Sequence, residues 1–347
     1  MSPPHSPPPQ ARLLLDSAAL VANWREFAGA VGGAACGAAI KADGYGLGAR
    51  EVMLRLAAAG CRQFYVAHWQ EVPALLPLPD GVTLSVLHGV AADEMPVALT
   101  LPARPVLATA AQAAMWRQTG RPCEAMVDSG MNRLGLAPAE TAGALAGMAV
   151  AVLHSHLACA DNPAHPLNET QRACFADVTA QMPADAYALA NSAGIALGPR
   201  YHLDLVRPGI GLFGGGLMPG GGRARPVARM AARIIQVRDV PAGCTVGYAA
   251  AFTATRPTRI ATVALGYADG YARGLSGLGW AEVAGVRCPA AGRVSMDLAA
   301  FDVTEAPVGE GDWLDIPFDP EAMAALAGRT SYELLVALGR RFERVWT

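Results

Sequence analysis

Eight short apolar runs alternate with alanine-rich segments of helical character between residues 17 and 207. Apolar runs of this length, bounded by turn residues, are typical of buried parallel strands. Eight such strands alternating with helices predict a (β/α)8 barrel, although a doubly wound sheet shows the same alternation. The runs are CGAAIK (36–41), QFYVA (63–67), TLSVLH (83–88), PVLA (105–108), EAMV (124–127), VAVLHSH (150–156), AYALAN (186–191) and LDLV (203–206).

Polar side chains at the ends of these runs favour the barrel. In a barrel, the carboxyl ends of all strands meet at one mouth, and active sites lie there. Each of these residues alone could be an ordinary loop residue, but their shared position predicts a functional site. They are Lys41, His88, Asp128, Arg133, His156, Asn191, Ser192 and Arg207.

The pattern changes after the glycine-rich stretch GGGLMPGGGR (214–223), which lacks the spacing of a phosphate-binding loop and is interpreted as a connector. The segments beyond it are β-like and separated by turn signals, which predicts a mostly antiparallel β domain over residues 223–347. The barrel is then expected over residues 11–222. The proline-rich residues 1–10 are expected to be a disordered tail.

Composition excludes several functional classes. The net charge is −2 without a basic stripe, which argues against nucleic acid as a partner. No run reaches the roughly 18 apolar residues that a membrane span needs. The seven cysteines contain no C-x-x-C pair, which indicates reduced thiols in a cytoplasmic protein rather than disulfides or a metal site. With 52% hydrophobic residues, the chain can form a large core and a subunit interface.

Lys41 is the only lysine among the chain's 27 basic residues, and the other 26 are arginines. A buried lysine amine can lose its proton and attack a carbonyl carbon to form a Schiff base, whereas an arginine guanidinium stays protonated. One interpretation is therefore that Lys41 forms a covalent bond that arginine cannot form. The alternative is a surface lysine that survived by chance.

Nine short motifs occur in order along the chain: AIKADGYGLG, VDSGMNRLGL, HSHLACAD, ANSAG, VRPGIGLFG, VGYAAAFTA, ALGYADGY, GRVSMD and TSYELL. Together they resemble the alanine racemases. This resemblance implies a barrel with a C-terminal β domain, pyridoxal 5'-phosphate as cofactor and a homodimer with shared active sites. The implied substrate is a small amino acid, alanine.

The resemblance also implies the catalytic groups. Lys41 would hold the cofactor covalently and handle the proton on the D face of the substrate, while Tyr248 of the partner subunit would handle the L face. A tyrosine with an ordinary pKa near 10 is a weak base at neutral pH, so its surroundings should stabilise the phenolate. His156 and Arg207 are the expected neighbours.

Cofactor and substrate contacts follow from the same resemblance. Arg207 would face the pyridine nitrogen, and Arg133 with the backbone of Met296 would bind the substrate carboxylate. Ser192 and Gly209 follow the last two predicted strands, where barrels often bind phosphate. The expected cofactor-binding residues are Lys41, Tyr45, His156, Asn191, Ser192, Arg207, Gly209, Ile210 and Tyr332.

Two positions depart from the family pattern. Met126 replaces a lysine that many relatives carbamylate to orient the substrate arginine, so Asn132, Asp128 or an anion would have to hold Arg133. Thr330 stands where relatives have an aliphatic residue near the side chain of the substrate. A polar residue at this position could allow serine to bind as a substrate.

Several functions stay open on the sequence alone. An alanine racemase could supply D-alanine for peptidoglycan or take part in the breakdown of D-alanine. The substrate range of the enzyme could also include serine. A decarboxylase of the same fold would need an acidic partner at the pyridine nitrogen, where this chain has Arg207. A non-catalytic pyridoxal-phosphate carrier would lack the β domain, and a plain metabolite-binding barrel would not use Lys41.

Overall fold

A computed structural model describes residues 8–347, which form two compact units. One unit is Leu20–Arg225, and the other combines the described residues through Ala19 with Pro226–Thr347. Most of the predicted disordered tail, residues 1–7, lies outside the described residues.

The first unit is built on a parallel sheet of nine strand segments that closes on itself. Each of the eight predicted apolar runs contributes to this sheet. The segments are β2 (Ala35–Cys36), β3 (Ala38–Ala39), β4 (Gln63–Val66), β5 (Thr83–Val86), β6 (Arg104–Leu107), β7 (Cys123–Met126), β8 (Val150–His154), β9 (Ala186–Ala188) and β10 (Leu205–Val206).

Gly37 divides the first barrel strand into β2 and β3, and this break closes the barrel. On one side β2 pairs with β10, and on the other β3 pairs with β4. The amide of Gly37 donates to the carbonyl of Val206 at 2.9 Å. A Cβ atom at Gly37 would lie 2.9 Å from the carbonyl oxygen of Gln63, so only glycine fits without a shift. The (β/α)8 prediction is confirmed, with nine segments acting as eight strands.

Helices alternate with these strands, and apolar side chains from five of the segments fill the barrel interior (Ala39, Tyr65, Val152, Ala188 and Leu205). Within residues 8–347, no helix combines the length and apolarity that crossing a bilayer requires. The helices are α1 (Ser17–Ala30), α3 (Ala49–Ala59), α4 (Met95–Ala98), α5 (Ala110–Arg117), α6 (Pro138–Ala144), α7 (Leu167–Thr179) and α8 (Ser192–Ala196), and the segment labelled α2 (Lys41–Tyr45) is a left-handed turn.

The second unit is a mostly antiparallel β structure, as predicted. Its long central strand pairs with three others and carries the buried side chains Met230, Ala232 and Ile234. The elements are β1 (Ala11–Leu15), β11 (Ala228–Val240), β12 (Thr245–Val246), β13 (Phe252–Thr253), β14 (Thr258–Val263), β15 (Trp280–Val283), β16 (Val286–Pro289), β17 (Ala299–Asp302), β18 (Trp313–Ile316), β19 (Glu343–Trp346), α9 (Pro320–Ala327) and α10 (Ser331–Val336).

Strand β1 belongs to the second sheet, whereas the sequence places residues 11–222 in the barrel. It pairs antiparallel with β11 and parallel with β19. Its side chains alternate, since Leu13 and Leu15 are buried while Arg12 and Leu14 are half-buried. Arg12 also forms an ion pair with Glu343 at 2.8 Å. Both partner strands lie more than 200 residues further along the chain, so no local pattern reveals this pairing.

Candidate active site

A pocket of about 510 Å³ opens at the carboxyl ends of the barrel strands. Six of the eight polar residues predicted at the strand ends line it: Lys41, His88, Asp128, Arg133, His156 and Arg207. Lys41 lies two residues after the end of β3, and Arg207 lies one residue after the end of β10. The barrel therefore brings these six groups to one mouth, which is the usual place for the active site of this fold.

The backbone after Lys41 makes a left-handed turn. The φ angles are 52° at Ala42, 54° at Asp43, 63° at Gly44 and 54° at Tyr45. A left-handed conformation costs roughly 1–2 kcal/mol for each non-glycine residue, because Cβ approaches the following carbonyl oxygen. Three of the four residues carry this strain. Strained backbone held by its surroundings is often found beside reactive groups, and here it directly follows the only lysine.

Burial lowers the pKa of the half-buried Lys41 amine from its usual value, and the nearby charge of Arg133 lowers the pKa further. Glu71 opposes this shift, and Arg207 adds to it. A lower pKa leaves more of the amine neutral at physiological pH. The neutral amine is the form that attacks a carbonyl carbon, so the pocket activates Lys41 for that reaction.

The carboxylate of Asp128 holds the loop that carries Arg133. Burial acts to raise the pKa of Asp128, but four backbone N–H donors outweigh this effect and lower its pKa. Asn132 adopts a left-handed φ of 57° within this loop. The donors are the amides of Gly130 at 2.9 Å, Met131 at 2.8 Å, Asn132 at 3.0 Å and Arg133 at 2.8 Å.

Met126 is buried and packs with Val106 and Ala108. Its thioether cannot bind the Arg133 guanidinium as a carbamylated lysine would. Asp128, one of the two residues that the sequence suggested as a substitute, binds the backbone of Arg133 rather than its side chain. The position of Arg133 is therefore fixed through its main chain.

The guanidinium of Arg207 is buried at the base of the pocket and donates to the carbonyl of Ser155 at 2.6 Å. Its Nε atom has no partner among the described residues. A buried donor without an acceptor is costly, so this atom suits a ligand that brings an acceptor. Burial lowers the pKa of the neighbouring His156 to about 3, and the positive charge of Arg207 contributes to the shift.

A compact group of small residues lies after β9 and β10. The hydroxyl oxygen of Ser192 accepts from the amides of Gly209 at 2.9 Å and Gly211 at 3.2 Å, which leaves its hydrogen to donate to another group. A Cβ atom at Gly209 would lie 2.4 Å from the hydroxyl of Tyr45, so the glycine makes room for this hydroxyl. Tyr45 stacks on Phe213 with ring centroids 4.6 Å apart.

Two further predicted residues lie beside this group. Ile210 is buried and begins a short 3-10 helix. The side chain of Asn191 accepts from the amide of Gly194 at 2.8 Å and caps α8. The Asn191 side chain therefore has a structural partner already.

Three predicted residues belong to the second unit. Tyr248 is 71% exposed, Met296 is 54% exposed and Tyr332 is 50% exposed. Tyr248 begins a short 3-10 turn, Tyr248–Ala250. Large side chains of this kind are usually covered in a soluble protein, and exposed ones often mark a surface that binds another molecule.

Thr330 caps α10 rather than standing free. Its hydroxyl accepts from the amide of Glu333 at 3.3 Å, and the Glu333 carboxylate accepts from the amide of Thr330 at 2.8 Å. This reciprocal pair is a capping box, which accounts for a threonine at this position.

Sequence reasoning missed a buried polar group inside the barrel. The carboxylate of Glu124 accepts from the hydroxyl of Ser85 at 2.6 Å and bonds Nε2 of His154 at 2.6 Å. Glu124 and His154 are both almost completely buried, and the ring of Tyr65 meets the His154 ring edge-on. The signals in the sequence are two polar residues within apolar runs, Glu124 in EAMV and His154 in VAVLHSH.

The low pKa of His156 gives a testable pH dependence. Because burial lowers the folded-state pKa to about 3, the unfolded chain binds this proton first as the pH falls below about 6.5. His156 should therefore reduce the free energy of unfolding as the pH falls from 6.5 toward 3, by up to about 1.4 kcal/mol per pH unit. Replacing His156 with glutamine should flatten this slope in urea denaturation between pH 7 and pH 5. An identical slope in both proteins would contradict the assignment.

Two family descriptions cover this chain. Residues 15–216 match "Alanine racemase, N-terminal domain", and residues 227–346 match "Alanine racemase, C-terminal domain". The chain belongs to the alanine racemase family. The resemblance seen in the motifs is thereby confirmed, and so is the expectation of a racemase fold.

Individual alanine racemases are similar to the chain along almost its whole length. The alanine racemase of Methylobacterium sp. (strain 4-46) is 44% identical over 98% of both chains. A crystal structure of alanine racemase from Bartonella henselae with covalently bound pyridoxal phosphate has a TM-score of 0.88 at 33% identity, covering 98% of this chain and all of that one. The enzyme from Streptomyces coelicolor A3(2) has a TM-score of 0.89 at 30% identity, covering 97% and 98% of the two chains.

The family depends on pyridoxal phosphate, and the residues of this chain fit that group. The pocket contains an amine with a lowered pKa, and the buried Nε atom of Arg207 needs an acceptor. The hydroxyl of Ser192, whose hydrogen can still donate, suits a phosphate, and the Tyr45 hydroxyl lies beside it next to Gly209. An aldehyde, a ring nitrogen and a phosphate are the three groups that such a cofactor presents.

Proposed function

We propose that this chain interconverts L-alanine and D-alanine with pyridoxal phosphate bound covalently to Lys41. The observation that carries the proposal is the environment of Lys41. It is the chain's only lysine, it lines the barrel-mouth pocket, and its pKa is lowered by burial and by Arg133. The full-length similarity to alanine racemases supports the choice of reaction.

The bound cofactor spreads the negative charge that remains when the α-proton leaves the amino acid. Arg207, whose buried Nε atom has no partner among the described residues, would hold the ring nitrogen and, as a lasting cation, would disfavour its protonation. His156 lies beside Arg207 and stays neutral, because burial lowers its pKa to about 3. The phosphate would be held by Tyr45, Asn191, Ser192, Gly209, Ile210 and Tyr332.

Racemisation needs a proton removed from one face and another delivered to the opposite face. Lys41 acts on the D face and Tyr248 of the partner subunit acts on the L face. Arg133 and the backbone amide of Met296 bind the substrate carboxylate, and the fork of the arginine both neutralises and orients it. The fixed backbone of Arg133, held by Asp128, supports this role.

This arrangement requires a homodimer, since Tyr248 and Met296 come from the second chain. The exposure of Tyr248, Met296 and Tyr332 on the second unit supports a surface that meets another subunit. The enzyme serves either to supply D-alanine for peptidoglycan or to break down D-alanine.

Purified protein loaded with pyridoxal phosphate tests the proposal. We expect L-alanine to be converted to an equal mixture of L-alanine and D-alanine, measured by chiral chromatography, without release of carbon dioxide. L-serine in parallel measures the breadth of specificity. Carbon dioxide release would indicate the decarboxylase instead. A bound cofactor without exchange of the α-proton in deuterated water would indicate a carrier.

A further inference from the structure

Glu71 contacts the strained turn that follows Lys41. Glu71 is half-buried and ends a short 3-10 helix, Trp69–Glu71, in the segment after β4. One carboxylate oxygen accepts from the amide of Ala42 at 2.7 Å. The other accepts from the amides of Ala67 at 2.8 Å and His68 at 3.0 Å. One side chain thus joins the loop after β4 to the first peptide after Lys41.

Two of these three bonds are ordinary local caps, because Ala67 and His68 precede Glu71 by four and three residues. The third bond reaches 29 residues back along the chain. Inside the left-handed turn, the amide of Gly44 donates to the carbonyl of Ile40, and the amide of Gly46 donates to the carbonyl of Ala42. The Ala42 amide has its partner outside the turn, in Glu71.

Asp43 holds the other end of the turn, where its carboxylate accepts from the amide of Ala49 at 2.9 Å. The strained segment is therefore fixed at both ends by carboxylates. Of the two carboxylates, Glu71 is the one that bonds the peptide between Lys41 and Ala42. Movement of this peptide would move the Cα atom of Lys41, from which the amine extends. A reacting group displaced by about 1 Å can lose on the order of 10²-fold in rate.

Building on the proposed function, we propose that Glu71 is a positioning residue: its bond to the Ala42 amide holds the left-handed turn and thereby fixes the direction of the Lys41 side chain into the pocket. The charge of Glu71 acts in addition. Burial and the charge of Arg133 lower the pKa of Lys41, whereas the negative charge of Glu71 raises it.

Two substitutions test the bond and the charge of Glu71. Glu71→Gln keeps the length of the side chain and removes its charge, but its single acceptor oxygen can keep either the bond to Ala42 or the bonds to Ala67 and His68. Glu71→Asp keeps the charge but is one methylene shorter, so it cannot reach Ala42 while also bonding Ala67 and His68. Glu94→Gln is the matched control, because the Glu94 carboxylate accepts from the amide of Ala91 at 2.8 Å as a local cap and does not contact the turn.

Because Lys41 is the only lysine, its amine can be titrated alone. Light reductive methylation of the cofactor-free full chain with ¹³C-formaldehyde labels Lys41 and the N-terminal amine, and NMR follows each signal with pH. We expect Glu71→Gln to lower the pKa of Lys41 relative to the parent. We expect Glu71→Asp to reduce kcat for alanine about 10- to 100-fold in the loaded enzyme, with KM changed less than about threefold. Glu94→Gln should change neither quantity.

A role limited to capping the 3-10 helix would give a different result. Both Glu71 variants would then melt at lower temperature but keep the parent's kcat, and Glu71→Asp, which retains the charge, would keep the parent's Lys41 titration. This outcome overturns the proposal. If Glu71→Gln fails to fold, the kcat and titration of Glu71→Asp decide. If the parent does not racemise alanine, the proposed function fails, while the Lys41 titration still tests Glu71.

Discussion

Replacing Lys41 with arginine should abolish racemisation, with a loss of at least roughly 10⁴-fold in kcat, on the scale seen when a covalent nucleophile is removed. Arginine keeps the positive charge and much of the length, but it cannot form the covalent bond to the cofactor aldehyde. The loss therefore reports on chemistry rather than on charge or folding. Chiral chromatography measures the rate, and absorbance after gel filtration measures the cofactor that remains bound.

A second lysine provides the control for this experiment. Arg200 is 68% exposed and pairs with Glu169 on the surface, so Arg200→Lys should retain parental activity. The double variant Lys41→Arg with Arg200→Lys again has a single lysine, but at the wrong place. It should be as inactive as Lys41→Arg alone. Parental activity in either Lys41→Arg protein would contradict the assignment of Lys41.

Tyr248→Phe should lower the racemisation rate by about 10²- to 10⁴-fold, the usual range for loss of a general acid or base. The change removes one hydroxyl from a side chain that is 71% exposed in the single chain, so folding and cofactor binding should be unaffected. Tyr201→Phe is the control, because the hydroxyl of Tyr201 donates to the exposed carboxylate of Glu169 at 3.4 Å, away from the pocket residues.

The two faces of the substrate can be separated by isotope exchange in deuterated water. With Tyr248→Phe, D-alanine should still exchange its α-proton through Lys41, whereas L-alanine should not. The parent and Tyr201→Phe should exchange both. Exchange of L-alanine by Tyr248→Phe at the parental rate would show that another group serves the L face.

Most of the barrel could be predicted because each strand is marked locally. All eight apolar runs became strands, and six of the eight polar residues predicted at their ends line one pocket. The division of the first strand at Gly37 could not be predicted, because it depends on the approach of Gln63. Strand β1 was missed for a similar reason, since its partners β11 and β19 are remote in sequence.

In the functional site too, residues with a local signal could be predicted, and those that act through contacts with residues remote in sequence could not. Lys41 and Arg207 were found from the sequence because they follow strands and match family motifs. Glu71 and the pair Glu124–His154 were missed, because their importance lies in bonds to residues 29 and 30 positions away. The left-handed turn at Ala42 is also invisible in the sequence, since alanine is not a residue that favours positive φ.

The central claim is that Lys41 binds pyridoxal phosphate covalently. Borohydride reduction of the loaded enzyme, followed by proteolysis and mass spectrometry, tests it directly because reduction makes that bond permanent. We expect one reduced cofactor per chain, located on the peptide that contains Lys41. Cofactor that is released on denaturation, with the Lys41 peptide unmodified, would contradict the account.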